Sequence, residues 1–153
     1  MLDFLFIFGA KYLYLLIVAI GGVVFFALPR NTQKQMIILA CISLPLIYLI
    51  TAIAAHFYYN PRPFVVGNFT PLISHVPDNG FPSDHVLLAF FVAALFFIFQ
   101  RKTSYLLLPL AVIVAVSRVY VGVHHPIDVL GSFLIVFIGM LAAHLILKQV
   151  WPT

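Results

Sequence analysis

Three short polar phrases interrupt an otherwise apolar chain, and each carries side chains suited to phosphate chemistry. They read Asn60-Pro61-Arg62-Pro63-Phe64, then Gly80-Phe81-Pro82-Ser83-Asp84-His85, then a run from Ser117 and Arg118 through His124 to Asp128. A guanidinium presents paired N–H donors that match phosphate oxygens, which makes Arg62 and Arg118 candidate phosphate ligands. An imidazole can attack phosphorus only with one neutral ring nitrogen free and the other held by an acceptor. His124 has Asp128 four residues on to hold it. His85 is then the candidate acid that protonates the departing oxygen. Ser83, beside a proline at a helix start, is a candidate phosphate donor, because unpaired N–H groups and the positive dipole end collect there.

Each of these residues also has a plain structural use. Arg62 and Arg118 can snorkel to anchor helix ends. Asp128 can serve as a first-turn acid two residues after Pro126, and Ser117 can bond back into its own helix. Asp84 is awkward, since a carboxylate beside a phosphate repels it unless the side chain points away or caps the helix. What favours the chemical reading is convergence at one membrane rim of residues that are costly there and usually functional. His125, adjacent to His124 in a tight turn, should point elsewhere, and His56, His75 and His144 are expected at interfaces or helix contacts. The histidines show no zinc spacing and have no cysteine partners. Cys41 is the single cysteine; it lies in an apolar run and is expected to pack there.

The elements that must position these residues follow from hydropathy. The 153 residues are 64% hydrophobic and 8% charged, with a mean hydropathy of +1.15, far from the roughly one-quarter charged fraction of soluble domains. Apolar runs cover about Tyr12–Leu28, Met36–Tyr59, Val86–Phe99, Tyr105–Val121 and Ile127–Trp151. Because lipid leaves no partner for an open backbone, these are helices. The expected fold is all-α, a polytopic membrane bundle of about five transmembrane helices forming one membrane-embedded domain over residues 1–153. Met1–Ala10 lacks a basic n-region and reads as an interfacial lead-in rather than a cleavable signal.

Arg30, Lys34, Arg101, Lys102 and Lys148 then share one side, cytoplasmic by the positive-inside rule. All four acids, Asp3, Asp78, Asp84 and Asp128, fall on the other side with the polar phrases. Pro63, Pro82 and Pro126 fit helix starts, and Gly122 fits a helix C-terminal cap. The Pro-, Gly- and Asn-rich connection from Asn60 to Pro82 is long enough to be functional, as a lid or as a receiver of a headgroup. The net charge of +4 rests on scattered basic residues, which argues against a nucleic-acid partner.

Arg62-Pro63, Pro82-Ser83-Asp84-His85, and Ser117-Arg118 with His124 and Asp128 at Ser-Arg-x5-His-x3-Asp together resemble the three-part signature of the type 2 phosphatidic acid phosphatase superfamily. The wording Asn-Pro-Arg-Pro-Phe-Val and Phe-Pro-Ser-Asp-His is most similar to the bacterial undecaprenyl-diphosphatases of the bacitracin-resistance type. The resemblance implies a multi-pass enzyme of the bacterial cytoplasmic membrane that acts on a lipid at the outer face. It would cleave undecaprenyl diphosphate to the monophosphate and so recycle the carrier for cell-wall synthesis. It also implies roles: His124 as a nucleophile forming phosphohistidine, Asp128 orienting it, His85 as acid, and Arg62, Ser83 and Arg118 stabilising the transition state. No metal or organic cofactor is implied. The family's lysine seven residues before Arg-Pro is Ala55 here, with Lys11 as a candidate substitute, and Asp84 replaces the common glycine. A phosphatase of phosphatidylglycerophosphate, phosphatidate or a lipid A phosphate would set the same phosphate against the same residues. A headgroup binder or translocator would need the arginines but no oriented nucleophile. Oligomeric state is not encoded in any of these features.

Overall fold

The computed structural model describes residues 1–150. Seven helices follow one another: α1 (Leu2–Lys11), α2 (Leu13–Ala27), α3 (Arg30–Phe57), α4 (Pro63–Val66), α5 (Asp84–Phe99), α6 (Arg101–Tyr120) and α7 (Pro126–Val150). The described residues contain no strand; Pro61 and Asn79 form an isolated antiparallel bridge. The all-α membrane bundle expected from the sequence is therefore the fold observed. α3, α6 and residues Pro126–Gln149 of α7 are long and apolar enough to cross a bilayer, and α1 with α2 form a fourth span if their bent pair is taken together. α5 is apolar but only 16 residues long, and it lies against α2, α6 and α7.

Helix limits follow local chemistry, with departures from the sequence reading. α3 starts at Arg30 immediately after Pro29 rather than near Met36, so its first turn is polar. α6 takes in Arg101 and Lys102, because the Gln100 side chain accepts from the Thr103 N–H at 2.6 Å and caps the helix. Pro126 opens α7 and Pro63 opens α4. Pro82 lies outside α5, whose N-cap residue is Ser83. Gly122 ends α6 with φ +82°, a left-handed conformation in which a Cβ is disfavoured. The Trp151 end of the last expected span lies outside the described residues.

The N-terminal lead-in is itself a helix, turned 53° from α2, and it packs along α6. Phe6 stacks on Tyr120 with ring centroids 3.9 Å apart, and the Tyr120 hydroxyl donates to Asp3 at 2.9 Å. Small residues bring the helices close, as membrane packing favours. A Cβ at Gly139 would stand 2.5 Å from Ile47 Cγ1 between α7 and α3. Large apolar side chains such as Phe26, Tyr48 and Ile138 are exposed, as a lipid-facing surface requires. Cys41 belongs to that surface: it is exposed, not packed, because α3 is apolar on its outer face as well as its inner one.

Two connections bring the polar phrases together at one end of the bundle. The Val121–His125 turn joins α6 to α7. The longer connection from α3 to α5 is tied down by Asn79. Its Oδ1 accepts from the Asn60 N–H at 2.9 Å and the Phe81 N–H at 3.0 Å. Its Nδ2 donates to the carbonyls of Tyr58 at 3.2 Å and Ala55 at 3.3 Å. One side chain thus satisfies carbonyls left open where α3 ends.

Candidate active site

His124 sits in the α6–α7 turn with 2% of its surface exposed. Its Nδ1 lies 2.8 Å from the Gly80 carbonyl. A carbonyl can only accept, so Nδ1 carries the proton and Nε2 is left with its lone pair. Nε2 faces two guanidinium groups, Arg118 Nη2 at 3.2 Å and Arg62 Nη1 at 3.4 Å. The imidazole is thereby fixed in one tautomer, with its basic nitrogen where an anion would meet two cations.

Both arginines are buried and held from behind. Arg62 Nε donates to Asp78 Oδ1 at 2.6 Å, and its Nη1 donates to the Val123 carbonyl at 2.9 Å. Arg118 Nη1 donates to the Ala10 carbonyl at 3.3 Å, so α1 helps to aim it. The Arg118 Nε and the Ser83 hydroxyl are buried with no hydrogen-bond partner among the described residues. Orphaned buried donors are uncommon and need a reason, which an anionic ligand supplies.

Asp128 is fully buried. Its Oδ1 accepts from Asn60 Nδ2 at 2.7 Å, and its Oδ2 accepts from the His125 N–H at 2.7 Å. The carboxylate stands 3.5 Å from His124 Nδ1, near enough to act by charge but longer than the bond to Gly80. The expected Asp–His pair is present with its emphasis changed: the backbone carbonyl fixes the tautomer, and Asp128 braces the turn and supplies the field. Burial, and then the charges of Arg118 and Arg62, hold His124 below the usual imidazole range, with Asp128 pulling the other way. Burial pushes Asp78 up, but the hydrogen bond and charge of Arg62 outweigh it and keep the carboxyl below its usual range.

The start of α5 is clamped to α7 by Ser132, a residue sequence reasoning missed. Its hydroxyl accepts from the Ser83 N–H at 2.8 Å and lies 2.8 Å from the Asp128 carbonyl and 3.1 Å from the Ser83 carbonyl. His85 is half-buried in the first turn of α5, its ring 4.4 Å from Tyr14 and edge-on to it. Asp84 is exposed and lines a shallow apolar groove with Leu44, Tyr48 and Thr51, which resolves its awkwardness. The Ser117 hydroxyl does not bond back into its helix. It is buried, has no hydrogen-bond partner among the described residues, and is pressed against Gly9, where a side chain would leave it no room. Lys11 is exposed at the end of α1.

His125 points away from His124, as its position in the turn suggests, with its Nε2 3.1 Å from the Pro61 carbonyl. Asn60, Gly80 and Asp78 also support the site without having been foreseen. The type of Asn60 and its place beside Pro61 were the only signals available. Among the described residues no three His, Cys, Asp or Glu side chains are grouped to hold a metal ion.

Residues 36–152 match the family model described as the PAP2 superfamily. The chain is 37% identical over 126 residues to the bacitracin transport permease protein BcrC of Bacillus licheniformis, covering 82% of this chain and 61% of that protein. It is 39% identical over 95 residues to the undecaprenyl-diphosphatase BcrC of Bacillus subtilis, covering 61% of this chain and 47% of that protein. The chain thus spans about half to two thirds of the length of these curated relatives. Among solved structures, that of Aquifex aeolicus LpxE superposes with a TM-score of 0.67 at 23% identity, covering 94% of this chain and 85% of that one, and shows the same fold.

Proposed function

The chain belongs to the PAP2 superfamily, and from that premise we propose that it is a membrane phosphatase converting undecaprenyl diphosphate to undecaprenyl phosphate and phosphate. The observation that carries the reading is His124, whose Nδ1 proton is committed to Gly80 and whose Nε2 faces Arg62 and Arg118. A binding site alone has use for the two arginines but none for an imidazole locked in its nucleophilic tautomer. The relative named undecaprenyl-diphosphatase BcrC supports the choice of lipid.

In the proposed reaction His124 Nε2 attacks the terminal phosphorus, and the bond to the bridging oxygen breaks. His85 gives its proton to that oxygen as the lipid monophosphate leaves. Water, losing a proton to His85, then cleaves the N–P bond and releases phosphate. Arg62, Arg118 and Ser83 meet the charge that builds on the phosphoryl oxygens, the kind of prearranged electrostatics that commonly contributes most to catalysis. Asp128 braces the turn, and no metal takes part. The site faces the outer side of the bacterial cytoplasmic membrane. An apolar groove of about 560 Å³, lined in part by Val116, Val119, Tyr120, Pro126 and Phe133, flanks the His124 turn and suits an isoprenoid chain that stays in lipid.

The test is phosphate release in detergent from three substrates: a polyprenyl diphosphate, phosphatidate and phosphatidylglycerophosphate. The reading predicts the highest kcat/KM for the diphosphate. A preference for either glycerolipid would reassign the substrate, and no release from any of the three would remove the enzymatic reading.

A further inference from the structure

Sequence reasoning left His75 outside the site, yet its ring centroid lies 6.3 Å from that of His124, with the planes at 74°. The connection carrying it also supplies two supports of the site. Asp78 holds Arg62 at 2.6 Å, and the Gly80 carbonyl holds His124 at 2.8 Å. His75 is half-exposed, whereas His124, Arg62 and Arg118 are buried. Its Nδ1 lies 3.3 Å from the Val76 carbonyl, and its Nε2 has no hydrogen-bond partner among the described residues.

These positions divide a diphosphate between two sets of groups. A phosphorus poised for attack stands roughly 3–3.5 Å from His124 Nε2. There its oxygens meet Arg62 and Arg118, both already within 3.4 Å of that nitrogen. His75 stands beside the His124 ring and is the more exposed of the two, a placement suited to a second phosphate one bridging oxygen further out.

We propose that His75 binds the phosphate that leaves with the lipid, and so makes this site selective for diphosphates over phosphate monoesters. The inference rests on the hydrolase reading above and deepens it. Burial, then Arg62 and Arg118, hold His75 below the usual imidazole range, against the Val76 carbonyl and Asp78. The ring is therefore neutral at rest, and an arriving anion favours the protonated form that donates to it.

The test measures binding without turnover, so it stays readable if the reaction has been misassigned. Purified protein in detergent is titrated with methylenediphosphonate and with inorganic phosphate, followed by phosphorus NMR, for the unaltered chain, His75→Ala and His75→Asn. The unaltered chain should prefer the diphosphonate, and His75→Ala should reduce that preference by about ten-fold, the scale of one hydrogen bond to a charged group. His75→Asn should recover part of it. Because the readout is a ratio of two affinities, a misfolded fraction cancels. A preference within about two-fold of the unaltered chain's in His75→Ala, no preference in the unaltered chain, or no binding of either anion overturns the proposal. Failure to hydrolyse polyprenyl diphosphate would instead count against the hydrolase reading alone.

Discussion

At the scale of single residues, the acceptor that fixes the His124 tautomer decides how the site works. Gly80 does so by hydrogen bond, and Asp128 contributes charge from 3.5 Å. Two predictions follow from this division. Because Asp128 raises the basicity of His124 while burial and the arginines lower it, the His124 ring stays neutral to below the ordinary imidazole pKa. The acid limb of kcat/KM should accordingly fall below about pH 6.5. Asp128→Asn removes the raising influence and should move that limb to still lower pH. It should cost only about ten- to a hundred-fold in rate, because Gly80 retains the tautomer. A pH profile of both proteins checks the direction; a limb moving to higher pH would count against the assignment. Gly80→Ala is the complementary change. Its Cβ would stand 3.1 Å from Asp128 Oδ2 and 3.1 Å from the Asn60 carbonyl, so the support of His124 must shift. The expected result is a kcat reduced by about ten-fold or more with an almost unchanged melting temperature. Arg62, Arg118 and Asp128 were legible in the sequence because their types are costly at a membrane rim, whereas the hold of Asp78 on Arg62 was not. Gly80 was not legible as an orienting group, since any residue carries a carbonyl and only the folded loop aims this one.

Among the elements, the α3–α5 connection and the Ser132 clamp decide whether the phrases meet. Asn79 serves four backbone groups and Ser132 ties Ser83 to α7. Asn79→Ala leaves four backbone groups, three of them in part-buried bonds, without this partner and should lower stability by about 1 kcal/mol. Because the same loop carries Gly80 and Asp78, kcat/KM should fall as well. Thermal melts and kinetics on the same sample measure both; loss of neither would show the loop to be held by other contacts. The helical runs and the Gly122 cap could be read from hydropathy and from turn chemistry. The boundary at Lys11 and Tyr12 was legible as the end of the lead-in, but the 53° turn there was not, because it accompanies the packing of α1 along α6. The short α4 and the bonding of the Asn60–Pro82 connection were hidden for a related reason. They depend on partners such as Asp128, which is 68 residues from Asn60 in sequence.

On the scale of the whole molecule, the fold gathers every polar phrase at one end of the bundle, and the topology proposed from charge bias has that end face outward. With Cys41 replaced by alanine, a cysteine at Asn68 should react with a membrane-impermeant maleimide on intact cells, and one at Lys102 only after permeabilisation. The opposite pattern would invert the topology. The all-α class followed directly from hydropathy, whereas the lipid-facing position of Cys41 did not, since a helix surrounded by lipid is apolar on every side. The central claim, that His124 accepts the phosphoryl group, is tested most directly by single-turnover quenching with a polyprenyl diphosphate labelled in its terminal phosphate. The expected result is acid-labile, alkali-stable label on His124 that rises before free phosphate and is missing from His124→Ala. Free phosphate released at the full rate by His124→Ala would contradict it.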